Sequence, residues 1–166
     1  MTHHYILDTN VIVNAQGDRS PQTATACIEK CQYLLYRCLA GEFELVIDVG
    51  QHGSDVLAEY QQQFQHYQGG YGELFIRWLL NHLGQPQIIE IPITKTDQHT
   101  YEEFPHEDAR LRTFDPSDRK WIALAVAHFQ YFDAPAPIMQ SADLKWKDYQ
   151  VAFLAHHVDV QFMCEE

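Results

Sequence analysis

Apolar residues follow two alternating spacings along this chain. Short apolar runs occupy residues 5–7, 43–48, 87–91, 138–140 and 158–162, and between them apolar residues recur every three or four positions. The runs are typical of buried strands, and the longer spacing is typical of one face of a helix. The predicted helices begin after Ser20 and Pro21, at residues 55, 73 and 118, and near residue 146. We expect Ser20, Ser54 and Ser117 to cap helix N-termini and Gly41 to end the first of these helices.

The order of these elements predicts the fold class. Strands that alternate with helices build a mostly parallel sheet with helices on both faces, and its βα loops gather along one edge. Neither an internal repeat nor a linker divides the 166 residues, so we expect a single domain over residues 1–166. The polar segment 94–114 gives no clear pattern.

Composition and charge narrow the possible partners. The formal net charge is −12, which argues against a protein that holds nucleic acid by charge alone, because that affinity comes from Lys and Arg. A catalyst is not excluded. No apolar stretch approaches the ~20 residues of a membrane helix, and the N-terminus lacks signal-peptide character. We therefore expect a soluble cytoplasmic protein that does not contact a membrane.

The four cysteines are Cys27, Cys31, Cys38 and Cys164. Three of them share one predicted helix and the fourth lies near the C-terminus, so no disulfide framework is expected. Cys27 and Cys31 lie one helical turn apart, a spacing that suits a metal. Without a second Cys/His pair, buried small hydrophobes are the expected role.

Four acids are predicted at one edge of the sheet. Asp8 and Asp143 end predicted strands, whereas Glu59 and Asp118 lie in the first or second turns of helices that leave the sheet. In a parallel α/β fold these positions face the same edge. Clustered carboxylates repel and raise one another's pKa, so such a cluster normally holds a cation. Hard oxygen ligands favour Mg²⁺ or Mn²⁺ over zinc.

The sequence around these acids resembles the PIN-domain nucleases. The similar blocks are Leu-Asp-Thr-Asn-Val at 7–11, Val-Leu-Ala-Glu-Tyr at 56–60, Ser-Asp-Arg-Lys-Trp-Ile-Ala-Leu-Ala at 117–125 and Ser-Ala-Asp-Leu-Lys-Trp at 141–146. The first and third blocks are fairly specific, and the order of all four is more specific than any one. Together with their flanks they span residues 5 to about 149.

This resemblance implies a three-layer α/β/α sandwich and metal-dependent hydrolysis of a phosphodiester, most often in RNA. It places Asp8, Glu59, Asp118 and Asp143 at the metal-binding positions, and Asn10 and Ser141 at supporting polar positions. The implied cofactor is Mg²⁺ or Mn²⁺, which lowers the pKa of a bound water. Besides RNA, the expected partners are an antitoxin protein, if the chain is a toxin, and a second copy of the chain.

Basic residues are concentrated near two of these acids. Six of the eleven Lys and Arg residues fall within residues 110–147, and the ordinary explanation is solvated surface. We also hypothesise that Arg119, Lys120, Lys145 and Lys147 contact the nucleic-acid backbone locally.

The sequence departs from the family pattern in three ways. Extra length lies at residues 61–84 and 94–114, the interval from Asp118 to Asp143 is long, and Lys145 and Trp146 stand where an acid and a phenylalanine are common. Two alternatives therefore stay open. One is a PIN-like binding module without catalysis. The other is a haloacid-dehalogenase-like phosphatase, in which Asn10 would have to be an acid.

Overall fold

The computed structural model describes residues 2–17 and 23–164, which form an α/β fold with a central parallel sheet. The predicted helix start at Ser20 and Pro21 lies outside the described residues. The strands are β1 (His3–Leu7), β2 (Phe43–Val49), β3 (Ile88–Pro92), β4 (Lys95–Asp97), β5 (Thr100–Tyr101), β6 (Ile138–Gln140) and β7 (Val160–Phe162). The helices are α1 (Thr9–Gln16), α2 (Thr25–Leu39), α3 (Asp55–Phe64), α4 (Tyr71–His82), α5 (Arg119–Phe132) and α6 (Gln150–Ala155).

The central sheet has the order β3-β2-β1-β6-β7, and all its neighbouring strands are parallel. The strand nearest the N-terminus therefore lies in the middle. Tyr5 pairs with Leu45 of β2, while Ile6 pairs with Ile138 of β6. Ile6 and Leu7 are completely buried, as expected for a strand covered on both faces.

Helices cover both faces of the sheet and make a three-layer α/β/α arrangement. From β1 the chain winds outward through β2 to β3 and then returns to β6 and β7. Because parallel crossovers are right-handed, the outward winding puts α1 to α4 on one face and the return puts α5 and α6 on the other. Contacts of α1 with α2, α3 and α4 agree with this division. The fold class predicted from the sequence is confirmed.

Close contact between two helices depends on Gly72 in the first turn of α4. A Cβ at this position would meet the Phe64 ring at 2.6 Å and the Ile12 carbonyl oxygen at 2.8 Å. Glycine therefore lets α4 lie directly against α1, the helix that follows Asp8. Two amides near this contact, those of Gly72 and Glu73, donate to the Gln16 side chain.

The helix ends confirm some predicted caps and correct one. Ser54 caps α3 by accepting a hydrogen bond from the Leu57 amide at 3.0 Å. Gly41 follows the end of α2 in the left-handed region, with φ of 77°. Ser117 was predicted to cap the helix at residue 118, and this was wrong. Asp115 instead accepts from the Ser117 amide at 2.9 Å and begins a short 3-10 turn that leads into α5.

The segment that gave no sequence pattern contains the antiparallel hairpin β4–β5 and a 3-10 turn at Ala109–Leu111. Its core contacts come from four buried residues at irregular spacing, Tyr101, Phe104, Leu111 and Phe114. Such isolated anchors produce no periodic signal. None of the described helices is both long and apolar enough to cross a membrane.

Candidate metal centre at the carboxyl edge of the sheet

Asp8 lies at the point where the central strand becomes a helix. Its backbone N–H donates to the Met139 carbonyl of β6 at 3.0 Å, and its carboxylate accepts from the Asn10 amide at 2.9 Å, which caps α1. The residue is only 3% exposed. The sequence around Asp8 left open whether this acid is a cap or a ligand; the structure shows that it is a cap, and one carboxylate can serve as both.

Glu59 lies on α3 and is held by two side chains. The Thr9 hydroxyl donates to one carboxylate oxygen, and the Lys120 ammonium lies 2.8 Å from the other. Because Thr9 directly follows Asp8, this contact fixes Glu59 beside the end of β1. The next residue of α3, Tyr60, donates its hydroxyl to the Leu7 carbonyl at 2.5 Å, which fastens α3 to the same strand.

Asp118 and Asp143 line one open cleft of about 440 Å³. Asp118 ends the 3-10 turn before α5 and accepts a long hydrogen bond of 3.4 Å from the Trp146 indole. Asp143 lies shortly after β6, and its carboxylate accepts a hydrogen bond from the backbone N–H of Lys145 at 3.3 Å. This contact caps another 3-10 helix, at Leu144–Tyr149. Lys145 lines the cleft as well.

Two of the four acids, Asp8 and Asp118, have pKa values that their acidic neighbours help to raise. Burial, which is the largest cause, and the charges of Asp118, Glu59 and Asp143 together raise the pKa of Asp8 to about 7 against the opposing hydrogen bond from Asn10. Burial and the charges of Asp115 and Glu59 raise the pKa of Asp118 to about 6, although Lys120 and the Trp146 hydrogen bond oppose this. The structure therefore places Glu59, Asp118 and Asp143 within electrostatic range of Asp8, at the edge where the sequence predicted them.

The donor set suits a hard divalent cation. The four carboxylates offer oxygen ligands only, and one of them, the buried Asp8, lacks a described cationic partner for its ionised form. Oxygen ligands of this kind are those that Mg²⁺ and Mn²⁺ prefer. Among the described residues, the group of three potential ligands whose atoms all lie within 4.8 Å of one another consists of cysteines, so the four carboxylates are spread more widely. A cation held by all four carboxylates would require them to approach one another.

The two supporting positions differ in their surroundings. The Asn10 side chain is exposed, and the contact of this residue with Asp8 is made by its backbone N–H. Ser141 is fully buried, and its hydroxyl accepts a hydrogen bond from the side-chain amide of Asn14 at 2.8 Å. The sequence reasoning missed Asn14. The sequence feature that could have identified Asn14 is its position one helical turn after Asn10, on the helix that Asp8 caps.

The four basic residues proposed to contact nucleic acid occupy different environments. Lys120 is buried, pairs with Glu59 and donates to the Ser117 carbonyl at 2.5 Å, so it belongs to the acid cluster. Arg119 stacks on Phe104 and donates to the Phe114 carbonyl. Lys145 and Lys147 are exposed, and the Lys147 ammonium lies 5.2 Å from the Phe162 ring centre.

The cysteines correct a prediction. Cys27 of α2 and Cys164 after β7 form a disulfide, although no disulfide was expected. The Cys31 sulfur lies with these two sulfurs in a group whose members are all within 4.8 Å of one another. The separation of 137 residues hid this contact, because the pairing of β7 with β6 is what places Cys164 near α2. Cys31 and Cys38 are buried free thiols, as expected for small hydrophobes.

No model of a known protein family matches the chain, and no match was found among curated proteins. The resemblance to PIN-domain nucleases therefore stays a prediction, and the functional proposal rests on the geometry described above.

Proposed function

We propose that this chain is a divalent-metal-dependent nuclease that hydrolyses phosphodiester bonds in RNA, as its resemblance to PIN-domain nucleases implies. One observation carries the proposal. Asp8, Glu59, Asp118 and Asp143 arrive from different elements at the carboxyl edge of a parallel sheet and interact electrostatically around the buried Asp8. Carboxylates gathered in this way destabilise a fold unless a cation balances them.

The proposed ligands are these four carboxylates, and the bound Mg²⁺ or Mn²⁺ would supply Lewis acidity toward the scissile phosphate and lower the pKa of an attacking water. The chain's own residues position the ligands. Asn10 and Met139 fix Asp8 through backbone hydrogen bonds, and Thr9 and Lys120 fix Glu59. Lys145 lies at the open cleft beside Asp118 and Asp143, where it can contact a phosphate.

Cleavage of labelled RNA tests the proposal, with single-stranded DNA assayed in parallel. We expect Mg²⁺- or Mn²⁺-dependent cleavage by the wild type, and a loss of at least about a hundredfold in Asp8→Asn and Asp118→Asn, as found when groups that stabilise transition-state charge are removed. Glu42→Gln is the matched control because Glu42 is an exposed acid just before β2, at the opposite edge of the parallel sheet from the four acids. Cleavage that survives both site substitutions, or that persists in a chelator, would contradict the mechanism.

The ion pair between Lys120 and Glu59 favours a second candidate. An ammonium already neutralises this carboxylate, so a PIN-like binding module in which Glu59 no longer binds metal is compatible with the same geometry. Metal binding without cleavage of RNA or DNA would support this alternative. The phosphatase reading needs an acid at residue 10, and phosphate transfer to Asp8 would be required to revive it.

We further propose that the protein acts in the cytoplasm. Its partners would be RNA, an antitoxin protein if the chain is a toxin, and a second copy of itself. Co-expression with the product of a neighbouring reading frame, followed by purification through a tag on this chain alone, tests for an antitoxin. A stable stoichiometric complex is expected, and growth inhibition by the chain that its neighbour does not relieve would count against it.

A further inference from the structure

A continuous set of contacts joins the disulfide to the acid cluster. The Cys164 amide donates to the Ser141 carbonyl at 3.0 Å, and the Met163 amide donates to the Gln140 carbonyl at 2.8 Å. Ser141 also accepts the Asn14 side chain at 2.8 Å, and the same Asn14 nitrogen lies 4.0 Å from the Cys27 sulfur. Cys164 therefore contacts Ser141 directly, and Cys27 is linked to it through Asn14; Ser141 lies two residues before Asp143.

Two attachments hold the segment after β6: the residues that follow β7, and the buried side chain of Trp146. The strand β6 has only three residues, and after it the chain turns through Ala142 into a 3-10 helix at Leu144–Tyr149. The residues that follow β7 continue its pairing with β6, so their attachment stabilises the exit of β6 that carries Asp143. The disulfide joins Cys164, which belongs to these residues after β7, to Cys27 of α2. The helix α2 packs on the face of the sheet opposite to α5 and α6.

The three sulfurs do not favour a metal in this state. Cys27 and Cys164 are bonded to each other, which leaves Cys31 as a single thiol, and Cys31 is completely buried. Burial raises the pKa of Cys31 to about 12, so its thiolate is disfavoured. Uncharged sulfur suits this apolar environment, whereas three thiolates would bring several negative charges into it.

We propose that the bond between Cys27 and Cys164 is a reversible redox lock on the acid cluster. The disulfide holds the segment that carries Asp143 in place for metal binding, and reduction by thiols releases this segment. The part of the proposal that concerns metal binding rests on the proposed function. Cytoplasmic disulfides are usually transient and redox-sensing, so the expected localisation favours a reversible bond.

The exchange starts at the more accessible sulfur. Cys164 is half-buried and Cys27 is 7% exposed. An external thiolate attacks the Cys164 sulfur, the bond to Cys27 breaks, and Cys27 leaves as a thiolate that takes up a proton. A second external thiolate attacks the mixed disulfide, which releases Cys164 as a thiol and yields the oxidised form of the external thiol. Oxidation by a small-molecule disulfide runs the two steps in reverse.

The direct test is hydrogen exchange of the segment 140–145 in the oxidised and the thiol-reduced protein. Peptide mapping first confirms the Cys27–Cys164 bond in the oxidised sample. We expect reduction to speed exchange in this segment and at Met163 and Cys164 by about tenfold or more, because a restraint on local opening is lost. Exchange rates that are unchanged by verified reduction would overturn the proposal.

Two variants separate the lock from general effects of reduction. Cys164→Ser is expected to exchange at the reduced rate whether or not thiol is present. Cys38→Ser, which alters a buried free cysteine on the same helix, is expected to respond to thiol as the wild type does. A response that persists in Cys164→Ser would overturn the proposal.

Mn²⁺ titration of the same samples connects the lock to the site. We expect several-fold weaker binding after reduction in the wild type and Cys38→Ser, and equally weak binding in both conditions in Cys164→Ser. If Mn²⁺ binds in neither redox state, the proposed nuclease fails, while hydrogen exchange still decides whether the lock exists. Equal Mn²⁺ affinity in both states would refute redox control of metal binding.

Discussion

At the scale of single residues, two buried aspartates on neighbouring strands have opposite surroundings. Asp48 accepts hydrogen bonds from Ser54, Asp55 and Val56 at 2.6 to 3.0 Å. Asp8 accepts one from Asn10 and faces three other acids. The first arrangement stabilises the folded chain, and the second costs free energy that only a cation or a proton relieves.

This contrast predicts opposite effects of the same substitution. In chelator at pH 8, Asp8→Asn should raise the free energy of unfolding by about 1–3 kcal/mol, because it removes a buried charge among like charges while the Asn oxygen can still accept from Asn10. Asp48→Asn is the matched control and should lower it by about 1–3 kcal/mol. Urea unfolding measures both. Destabilisation by Asp8→Asn would show that the aspartate is structural.

A second prediction concerns the ion pair between Lys120 and Glu59. Lys120→Met should lower the free energy of unfolding by about 2 kcal/mol, less than a fully buried pair would cost, because the Glu59 side chain is 28% exposed. Adding Glu59→Gln to this variant should recover part of the loss, since the unpaired charge disappears.

The exposed pair of Arg77 and Glu73 on α4 is the control for this cycle. Arg77→Met should change the free energy of unfolding by less than about 1 kcal/mol, as is usual for exposed pairs. Additive effects of Lys120→Met and Glu59→Gln would mean that the two groups do not interact in solution.

At the scale of elements, a histidine pair joins β1 to α5 at the opposite end of β1 from Asp8. The Nε2 atom of His128 lies 2.7 Å from Nδ1 of His4, and Nδ1 of His128 lies 3.0 Å from the carbonyl oxygen of Ala134. Nε2 of His4 pairs with the Glu44 carboxylate of β2. Burial and the neighbouring His4 lower the pKa of His128 to about 4. His128 is therefore neutral in the folded protein at neutral pH.

The lowered pKa makes stability depend on pH with a definite sign. Between pH 6.5 and 4 the unfolded chain binds a proton at His128 that the folded chain does not. The contribution of His128 is thus fully present above pH 6.5 and is lost as pH falls toward 4, by about 3 kcal/mol in all. Asp8 and Asp118 act in the opposite direction, because their pKa values are raised.

Comparison with a variant isolates the histidine contribution. The difference in free energy of unfolding between the wild type and His128→Gln should shrink as pH falls from 7 to 4, since the acids are common to both proteins. A difference that stays constant over this range would show that His128 titrates normally.

The sequence pattern predicted the central elements well because buried parallel strands and amphipathic helices each have a clear period. Asp8 and Asp143 were recognisable because each follows a short apolar run. Three features depended on contacts distant in sequence and gave no local signal: the burial of Lys120 against Glu59, the approach of Cys164 to Cys27, and the anchoring of the hairpin by Tyr101. In each case a tertiary contact determines the role of a residue whose neighbours suggest a surface or an isolated core position.

At the scale of the whole molecule, the net charge of −12 means that binding to RNA would depend on individual basic residues and not on the overall charge. Lys145 is exposed at the cleft between Asp118 and Asp143, and this is where phosphate contact is expected. Arg119 is less available because it stacks on Phe104 and bonds to carbonyls.

Salt dependence tests this local contact. Without divalent ions, Lys145→Ala should weaken binding to single-stranded RNA by a similar factor for different sequences and should reduce the slope of log affinity against log salt by about 0.7. Arg77→Ala, which removes an exposed base on α4, should leave the slope unchanged. An unchanged slope in Lys145→Ala would place the RNA elsewhere.

The position of β1 in the sheet has a consequence for the order in which the protein folds. During synthesis β1 emerges before its neighbours, yet it pairs on one side with β2 and on the other with β6, close to the far end of the chain. One edge of β1, which includes the buried Ile6 and Leu7, therefore has no partner until β6 has been synthesised. Long-range parallel pairing of this kind folds slowly and exposes strand edges to aggregation. The strand that leads into Asp8 is thus the first strand of the central sheet to be synthesised, but it gains its second partner strand only late in synthesis.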